Sequence, residues 1–167
     1  MKRDYEFYLH LEEYIKEVNS LVCKVLKIPA SRIILDTCKD EPNLLGYFQN
    51  RTWSIGIVEA NITTYGRLAE TIIHETRHAW QHYYNKIDFS NYVSSEKDFD
   101  AYYNHIAEVD ARNFAAAFAN KFKTELDALA DKLVNREFKV KGPTVNNRDA
   151  ELEEVFGVSI SNEPIWG

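Results

Sequence analysis

Hydrophobic positions in the first part of the chain recur every three or four residues, from Leu11 to Val25. This spacing predicts an amphipathic helix over residues 4–27, with Asp4 as its N-cap and Pro29 just beyond its end. Because such a helix has one apolar stripe, other elements must cover that stripe to form a core.

After the first helix the pattern changes to short runs rich in β-branched residues. Residues 32–37 predict a strand, and residues 44–49 and 52–59 predict a hairpin that turns at residues 50–51. Gly56, in the second strand of the hairpin, indicates a bulge or a close approach of another group.

Helical spacing returns in the second half of the chain. It predicts a helix over residues 66–84, a polar loop over 85–97, and a long helical stretch from about 98 to 136 that is either continuous or broken near Asn120. The order of one helix, a group of strands and then two further helical stretches predicts an α+β fold, with a small antiparallel sheet packed on the helices.

Length and composition favour a single globular unit. The chain has 167 residues, of which 45% are hydrophobic, which is enough for one domain with its own core. We assign residues 1–141 to this domain and residues 142–167, which begin with Gly142 and Pro143, to a C-terminal extension. The two cysteines, Cys23 and Cys38, are too few for a disulfide scaffold. Free thiols are expected, with one bridge between the two as the alternative.

The net charge and the length of the apolar segments indicate whether nucleic acids or membranes are expected as partners. The net charge of −6 and the pI of about 5.4 come without a basic run, so no nucleic acid is expected as a partner. No apolar stretch is long enough for a membrane span, and acidic residues interrupt the N-terminal segment where a signal peptide would be apolar. The sequence therefore predicts a cytoplasmic protein that does not associate with membranes.

The motif with the clearest chemistry lies in the predicted helix 66–84. His74 and His78 stand four residues apart in the string HETRH, so both imidazoles lie on one helix face and can bind one metal ion. Glu75 follows the first histidine and points to the side, where it can reach a metal-activated water as a general base. Apolar flanking residues indicate that the helix is buried, which makes unpaired polar groups costly there.

A catalytic zinc site usually has three protein ligands, so a third must come from elsewhere. The best candidate is Glu108, at the start of an apolar helical segment in which Ala111 and Ala115 would allow a close approach to the motif helix. His105 and Asp110 remain alternatives for the third ligand. Candidates for a transition-state hydrogen-bond donor are His105 and three tyrosines. These are Tyr83, Tyr102 and Tyr103.

Three side chains of the motif region have simpler expected roles. Arg77 and Gln81 are expected to face solvent or neighbouring loops, and Trp80 is expected in the core. If Asp110 is not a ligand, it can orient a ligand histidine through a hydrogen bond.

The strings HETRHAWQ and AEVDARNFA together resemble the gluzincin metallopeptidases, in which a glutamate on a downstream helix completes HExxH. The resemblance extends over about residues 44–120 and is greatest to small bacterial, archaeal and phage versions, and more loosely to ImmA/IrrE-type enzymes. It implies a zincin-like fold, His74, His78 and Glu108 as Zn²⁺ ligands, and Glu75 as the base. It also implies that the strand 52–59 lies at the rim of the cleft and binds an extended peptide.

These observations predict a zinc-dependent peptidase that acts on a peptide or protein substrate. The alternative is a catalytically silent, metal-stabilised binding or regulatory protein of a phage or mobile element. Glu75 favours catalysis, because a purely structural zinc site needs no base beside its first histidine. A further hypothesis for the C-terminal extension is that it folds back over the cleft and holds the enzyme latent.

Overall fold

The computed structural model describes residues 5–36 and 43–134. Its elements are, in chain order, helix α1 (Tyr5–Leu26), strands β1 (Arg32–Leu35), β2 (Gly46–Gln49) and β3 (Ser54–Ile57), a 3₁₀ turn (Glu59–Asn61), and helices α2 (Tyr65–Tyr83), α3 (Phe99–Asn104), α4 (Ile106–Lys121) and α5 (Lys123–Val134). The predicted α+β class is confirmed. The predicted Asp4 cap, the C-terminal extension and Cys38 lie outside the described residues.

Helix α1 forms and ends as its sequence predicts. Its apolar stripe is buried, with Leu11, Ile15 and Val18 fully inaccessible to solvent. Lys27 adopts a left-handed conformation with φ of 59°, and the Ile28 amide then donates to the Cys23 carbonyl over 3.1 Å. This is the pairing of a Schellman motif, which satisfies a terminal carbonyl and stops the helix before Pro29.

The three strands form one sheet in the order β1-β3-β2. Strands β2 and β3 form the predicted antiparallel hairpin, with Phe48 opposite Ile55. The expectation of a wholly antiparallel sheet is wrong, because β1 pairs in parallel with β3. After β1 the chain forms β2 at the other edge of the sheet and then turns back to form β3 between them. Strands β1 and β3 therefore have the same direction, and both are antiparallel to β2.

Gly56 marks a close approach rather than a bulge. It pairs with Tyr47 across the hairpin, and a Cβ added at Gly56 would lie 2.0 Å from the Tyr47 ring. The ring is held over the glycine because the Tyr47 hydroxyl donates to Asp36 over 2.7 Å. Only a residue without a side chain leaves room for the ring in this position.

Helix α2 is central to the fold, since it contacts α1, α4 and the sheet. Thr64 begins it as an N-cap, because its hydroxyl accepts from the Arg67 amide over 3.1 Å. Buried Asn19 of α1 donates to Thr76 of α2 over 3.0 Å and accepts from the Ser31 amide. These bonds fix α2 against α1 on the side away from the motif histidines.

The long helical stretch predicted after residue 97 is divided into three helices. The break at Phe122 lies close to the one considered near Asn120, whereas the break at His105 was not predicted. His105 is extended and its Nδ1 accepts from the Ala107 amide over 3.1 Å, so it caps the N-terminus of α4. A histidine N-cap has no common sequence signature, and for this reason the hydrophobic pattern did not indicate a helix boundary at His105.

Gly56→Ala should lower the free energy of unfolding by about 1–3 kcal/mol, because the new methyl group displaces the Tyr47 ring. Urea unfolding of both the single variant and the same change in a Tyr47→Ala background measures this. The cost should shrink in that background, where no ring meets the methyl group. An equal cost in both backgrounds would assign the effect to the backbone of β3 instead.

Candidate metal centre and active-site cleft

Three of the predicted site residues converge at one point between α2 and α4. His74 Nε2 lies 3.0 Å from Glu108 Oε1, His78 Nε2 lies 2.9 Å from Glu108 Oε2, and the two Nε2 atoms are 3.2 Å apart. The possible ligand atoms of this cluster all lie within 4.8 Å of one another. Ligands bonded to one tetrahedral zinc ion at 2.0–2.1 Å would be separated by about 3.3 Å. Both the donor types and their spacing therefore fit zinc.

The helices position these groups by simple means. His74 and His78 occupy successive turns of α2, and Glu108 lies in the first turn of α4, where the helix dipole stabilises a carboxylate. Ala111 and Ala115 are buried on α4, as expected for a close approach of the two helices. Glu108 itself is only 1% exposed, so its charge depends on its partners in the cluster.

The cluster holds Glu108 ionised. Burial alone raises the pKa of this carboxyl, but hydrogen bonds from His74 and His78 bring it well below its usual range. For His78 burial alone lowers the pKa, whereas the hydrogen bond to Glu108 and the charge of Glu75 raise it to about 9. In the metal-free protein a proton therefore occupies the group that a metal ion would bind.

Glu75 lies beside the cluster rather than inside it. It is 8% exposed and lines the same cavity as His74 and Glu108. Burial raises the pKa of Glu75, although the neighbouring imidazoles oppose this shift. A raised pKa brings the titration of this carboxyl group closer to neutral pH, which suits a side chain that accepts and then releases a proton.

A buried chain of hydrogen bonds orients His78 from behind. Gln81 Oε1 lies 2.8 Å from His78 Nδ1, and Gln81 Nε2 donates to Asp110 over 2.8 Å and to the Ala107 carbonyl over 2.9 Å. Since both amide N–H groups of Gln81 donate in this way, its amide oxygen accepts a hydrogen bond from His78 Nδ1–H. Nε2 of His78 then points towards Glu108 and the cluster, and its lone pair becomes available to a metal ion once the proton between His78 and Glu108 is displaced.

Arg77 anchors the far end of this chain. Its guanidinium donates to both oxygens of Asp110 over 2.9 and 3.2 Å, and lies 3.5 Å from the centre of the Trp80 ring and 4.5 Å from that of Phe114. Arg77 is 2% exposed and Gln81 is fully buried, and both side chains bond to α4, so the expectation that they face solvent or neighbouring loops is wrong. On α2 they project towards α4, which the sequence pattern cannot reveal. Trp80 is part of the core, as expected.

The two alternatives for the third ligand have other partners. His105 caps α4 and lies 5.1 Å from Tyr92 and 6.2 Å from Phe89 between ring centres. Asp110 binds Arg77 and Gln81, and it therefore reaches His78 only through the Gln81 amide. Neither belongs to the cluster at His74.

Tyrosines on one side of the cluster supply hydroxyl groups. Tyr92 donates to Glu108 Oε2 over 2.8 Å. Tyr102 and Tyr103 line the cavity, whereas Tyr83 packs on Trp53 and is 51% exposed. Tyr92 was not predicted from the sequence, because it stands in an irregular loop and its distance from Glu108 along the chain carries no signal.

The cluster opens into a cavity of about 620 Å³. One wall comes from residues 43–46, which lead into β2, and another comes from α3 with Phe99 and its neighbours. The resemblance implied that the strand over residues 52–59 lies at the rim and binds the peptide. This is wrong, because that strand is β3, the middle strand, and both of its edges are paired. Within the described residues β2 is the edge strand whose lead-in segment reaches the cavity.

Gln81→Leu should lower the free energy of unfolding by about 1–3 kcal/mol, because it leaves His78 Nδ1 and part of Asp110 without their buried hydrogen bonds. Gln49→Leu is a matched control, since the Gln49 side chain is exposed and bonds only locally to Thr52. Urea unfolding of both variants without added metal measures the difference. Equal stability of the two would argue against the orienting chain.

Comparison with known proteins identifies one related family. The sequence profile of the Peptidase M76 family matches residues 3–96, which is more than half of the chain and includes the HETRH string. Glu108 lies beyond the matched segment. No curated protein and no solved structure matches the chain. Across residues 5–36 and 43–134, no helix combines the length and the apolar character needed to cross a membrane.

Proposed function

The chain belongs to the Peptidase M76 family, and from this premise we propose that it is a zinc-dependent peptidase of the gluzincin type. His74, His78 and Glu108 are the proposed metal ligands, and Glu75 is the proposed general base. The substrate of a peptidase is a peptide or protein, and the cavity beside Glu75 is its proposed binding site.

The observation that carries this proposal is the convergence of two imidazole nitrogens and one carboxylate at a cavity wall. Structural zinc sites are usually closed by four protein ligands, whereas catalytic sites have three and leave one position for water or substrate. Among the described residues the cluster has three candidates, and the cavity adjoins it. This composition favours a catalytic site.

Zinc bound there would lower the pKa of a water molecule and polarise the scissile carbonyl group. Glu75 would accept a proton from the attacking water and deliver it to the leaving amine nitrogen. Gln81 would hold His78 with its Nε2 lone pair towards the ion. Burial of Glu75 and Glu108 limits competing contacts with bulk water, so their charges act on the reacting groups with little screening.

An extended substrate would lie beside this centre along the edge of β2. The Leu44 and Leu45 carbonyls already accept from Asn61 and Val58, so we propose that a peptide adds as a strand on the side of β2 that faces away from β3, next to the cavity that residues 43–46 line. This proposal replaces the paired strand β3 by β2 as the strand that binds the peptide.

The competing function is a metal-stabilised binding protein without turnover. Such a protein would need the two histidines and Glu108, but it would have no use for a buried carboxylate at position 75. A carboxylate without a role in a site with a second carboxylate is unfavourable, because burial and like charge both destabilise its ionised form. Glu75 therefore favours catalysis.

Two substitutions separate metal binding from turnover. Glu108→Ala should lose bound zinc, whereas Glu75→Gln should retain one equivalent of zinc and lose about 100-fold or more of the hydrolysis of an unstructured protein such as casein. Elemental analysis and a fluorescent casein assay measure these effects, with Glu12→Gln on the surface of α1 as the control. Full turnover by Glu75→Gln would exclude it as the base, and normal zinc in Glu108→Ala would exclude it as a ligand.

Zinc affinity should increase with pH. Because His78 has a pKa of about 9 in the metal-free protein, it is protonated at neutral pH and must lose that proton to bind zinc. The apparent affinity should rise about tenfold per pH unit for each displaced proton between about pH 6 and pH 8. Chelator-buffered zinc titrations at several pH values measure this dependence. A constant affinity over that range would mean that no proton is displaced from the site.

A further inference from the structure

The loop between α2 and α3, residues 84–98, reaches the centre through one side chain. Tyr92 donates its hydroxyl hydrogen to Glu108 Oε2 over 2.8 Å, the same oxygen that lies 2.9 Å from His78 Nε2. Glu108 Oε1 is left facing His74 at 3.0 Å. The Tyr92 phenol thus helps to hold the carboxylate in one orientation relative to the two imidazoles, together with Tyr102 of α3, which also hydrogen-bonds Glu108.

A second contact fixes the loop beside Tyr92. The Phe89 ring stacks on His82 of α2, with ring centres 4.2 Å apart and planes 6° from parallel, and its ring centre lies 6.2 Å from that of His105 at the start of α4. Tyr92 in turn packs edge-on against Phe89 and His105. The loop is therefore attached both to the helix that carries the histidines and to the helix that carries Glu108.

The hydroxyl of Tyr92 donates to a carboxylate that is only 1% exposed, so bulk water competes little for this contact. A neutral phenol beside an ionised carboxylate forms a charge-assisted hydrogen bond, which is stronger than one between neutral groups.

We propose that Tyr92 is a positioning residue for Glu108 and that it couples the order of loop 84–98 to metal binding. This inference rests on the proposed function, because it takes Glu108 as a metal ligand. Groups that orient a metal ligand from behind commonly contribute about 10–100-fold to metal affinity. Since Ser95 and Glu96 of the loop line the cavity, metal binding also stabilises one wall of the substrate site.

The test compares two tyrosines that differ in where their hydroxyls bind. Tyr84 is 39% exposed and Tyr92 is 37% exposed, but Tyr84 donates to the Lys27 carbonyl, away from the cluster. Tyr92→Phe and Tyr84→Phe each remove one hydroxyl, so Tyr84→Phe controls for the general effect on stability. Zinc affinity is measured by competition with a chromophoric chelator, and stability is measured by thermal unfolding.

Tyr92→Phe should weaken zinc binding by about 10–100-fold, while Tyr84→Phe leaves it unchanged. Limited trypsin digestion gives the second readout, because Lys86 and Lys97 are exposed within the loop. Zinc should slow cleavage after these lysines in the wild type and in Tyr84→Phe, and should protect Tyr92→Phe much less. Mass spectrometry of the fragments identifies the cleaved bonds.

Wild-type zinc affinity in Tyr92→Phe would overturn the positioning role. Zinc protection of the loop that is as strong in Tyr92→Phe as in the wild type would overturn the coupling. If the wild type binds no zinc at all, the proposed function fails and this inference fails with it. The wild-type titration alone thus tests the function, and the difference between the two tyrosine variants tests the inference.

Discussion

The packing of α4 against α2 is the contact on which the candidate site depends. Two histidines one turn apart on α2 cannot by themselves form a three-ligand centre, and Glu108 becomes a partner only because α4 approaches closely over small side chains such as Ala111. The approach buries a carboxylate, which is costly unless charged or hydrogen-bonded groups meet it. His74, His78 and Tyr92 supply those groups.

A second buried polar system holds the same two helices together. The Asp110 carboxylate of α4 binds the Arg77 guanidinium of α2, and the faces of Trp80 and Phe114 cover that guanidinium. Gln81 connects this pair to His78, so the structural ion pair and the candidate metal site form one continuous network. Disturbance of the helix contact is expected to change the orientation of the ligands as well as the stability.

Contacts on the side of α2 opposite the histidines hold this helix in place, so the candidate site lies on a fixed element. Thr76 lies within the HETRH string but points away from the histidines, where it accepts from Asn19 of α1 and donates to the Ile72 carbonyl. Ile72 and Ile73 are fully buried in the core. One helix therefore presents polar groups to the cavity while its other faces are fixed by α1 and by the sheet.

The sequence by itself determined the local features of this protein. Periodicity located α1, the hairpin and α2, and the spacing of His74 and His78 placed both on one helix face, since these properties depend on neighbouring residues alone. Gly56 likewise indicated a close contact.

The tertiary structure decided which groups those local features contact. It paired β1 in parallel with β3, buried Arg77 and Gln81, made His105 a cap, and brought Tyr92 to Glu108. Such contacts join residues that are distant along the chain, so no local pattern encodes them, and only the packing of α4 on α2 selects them.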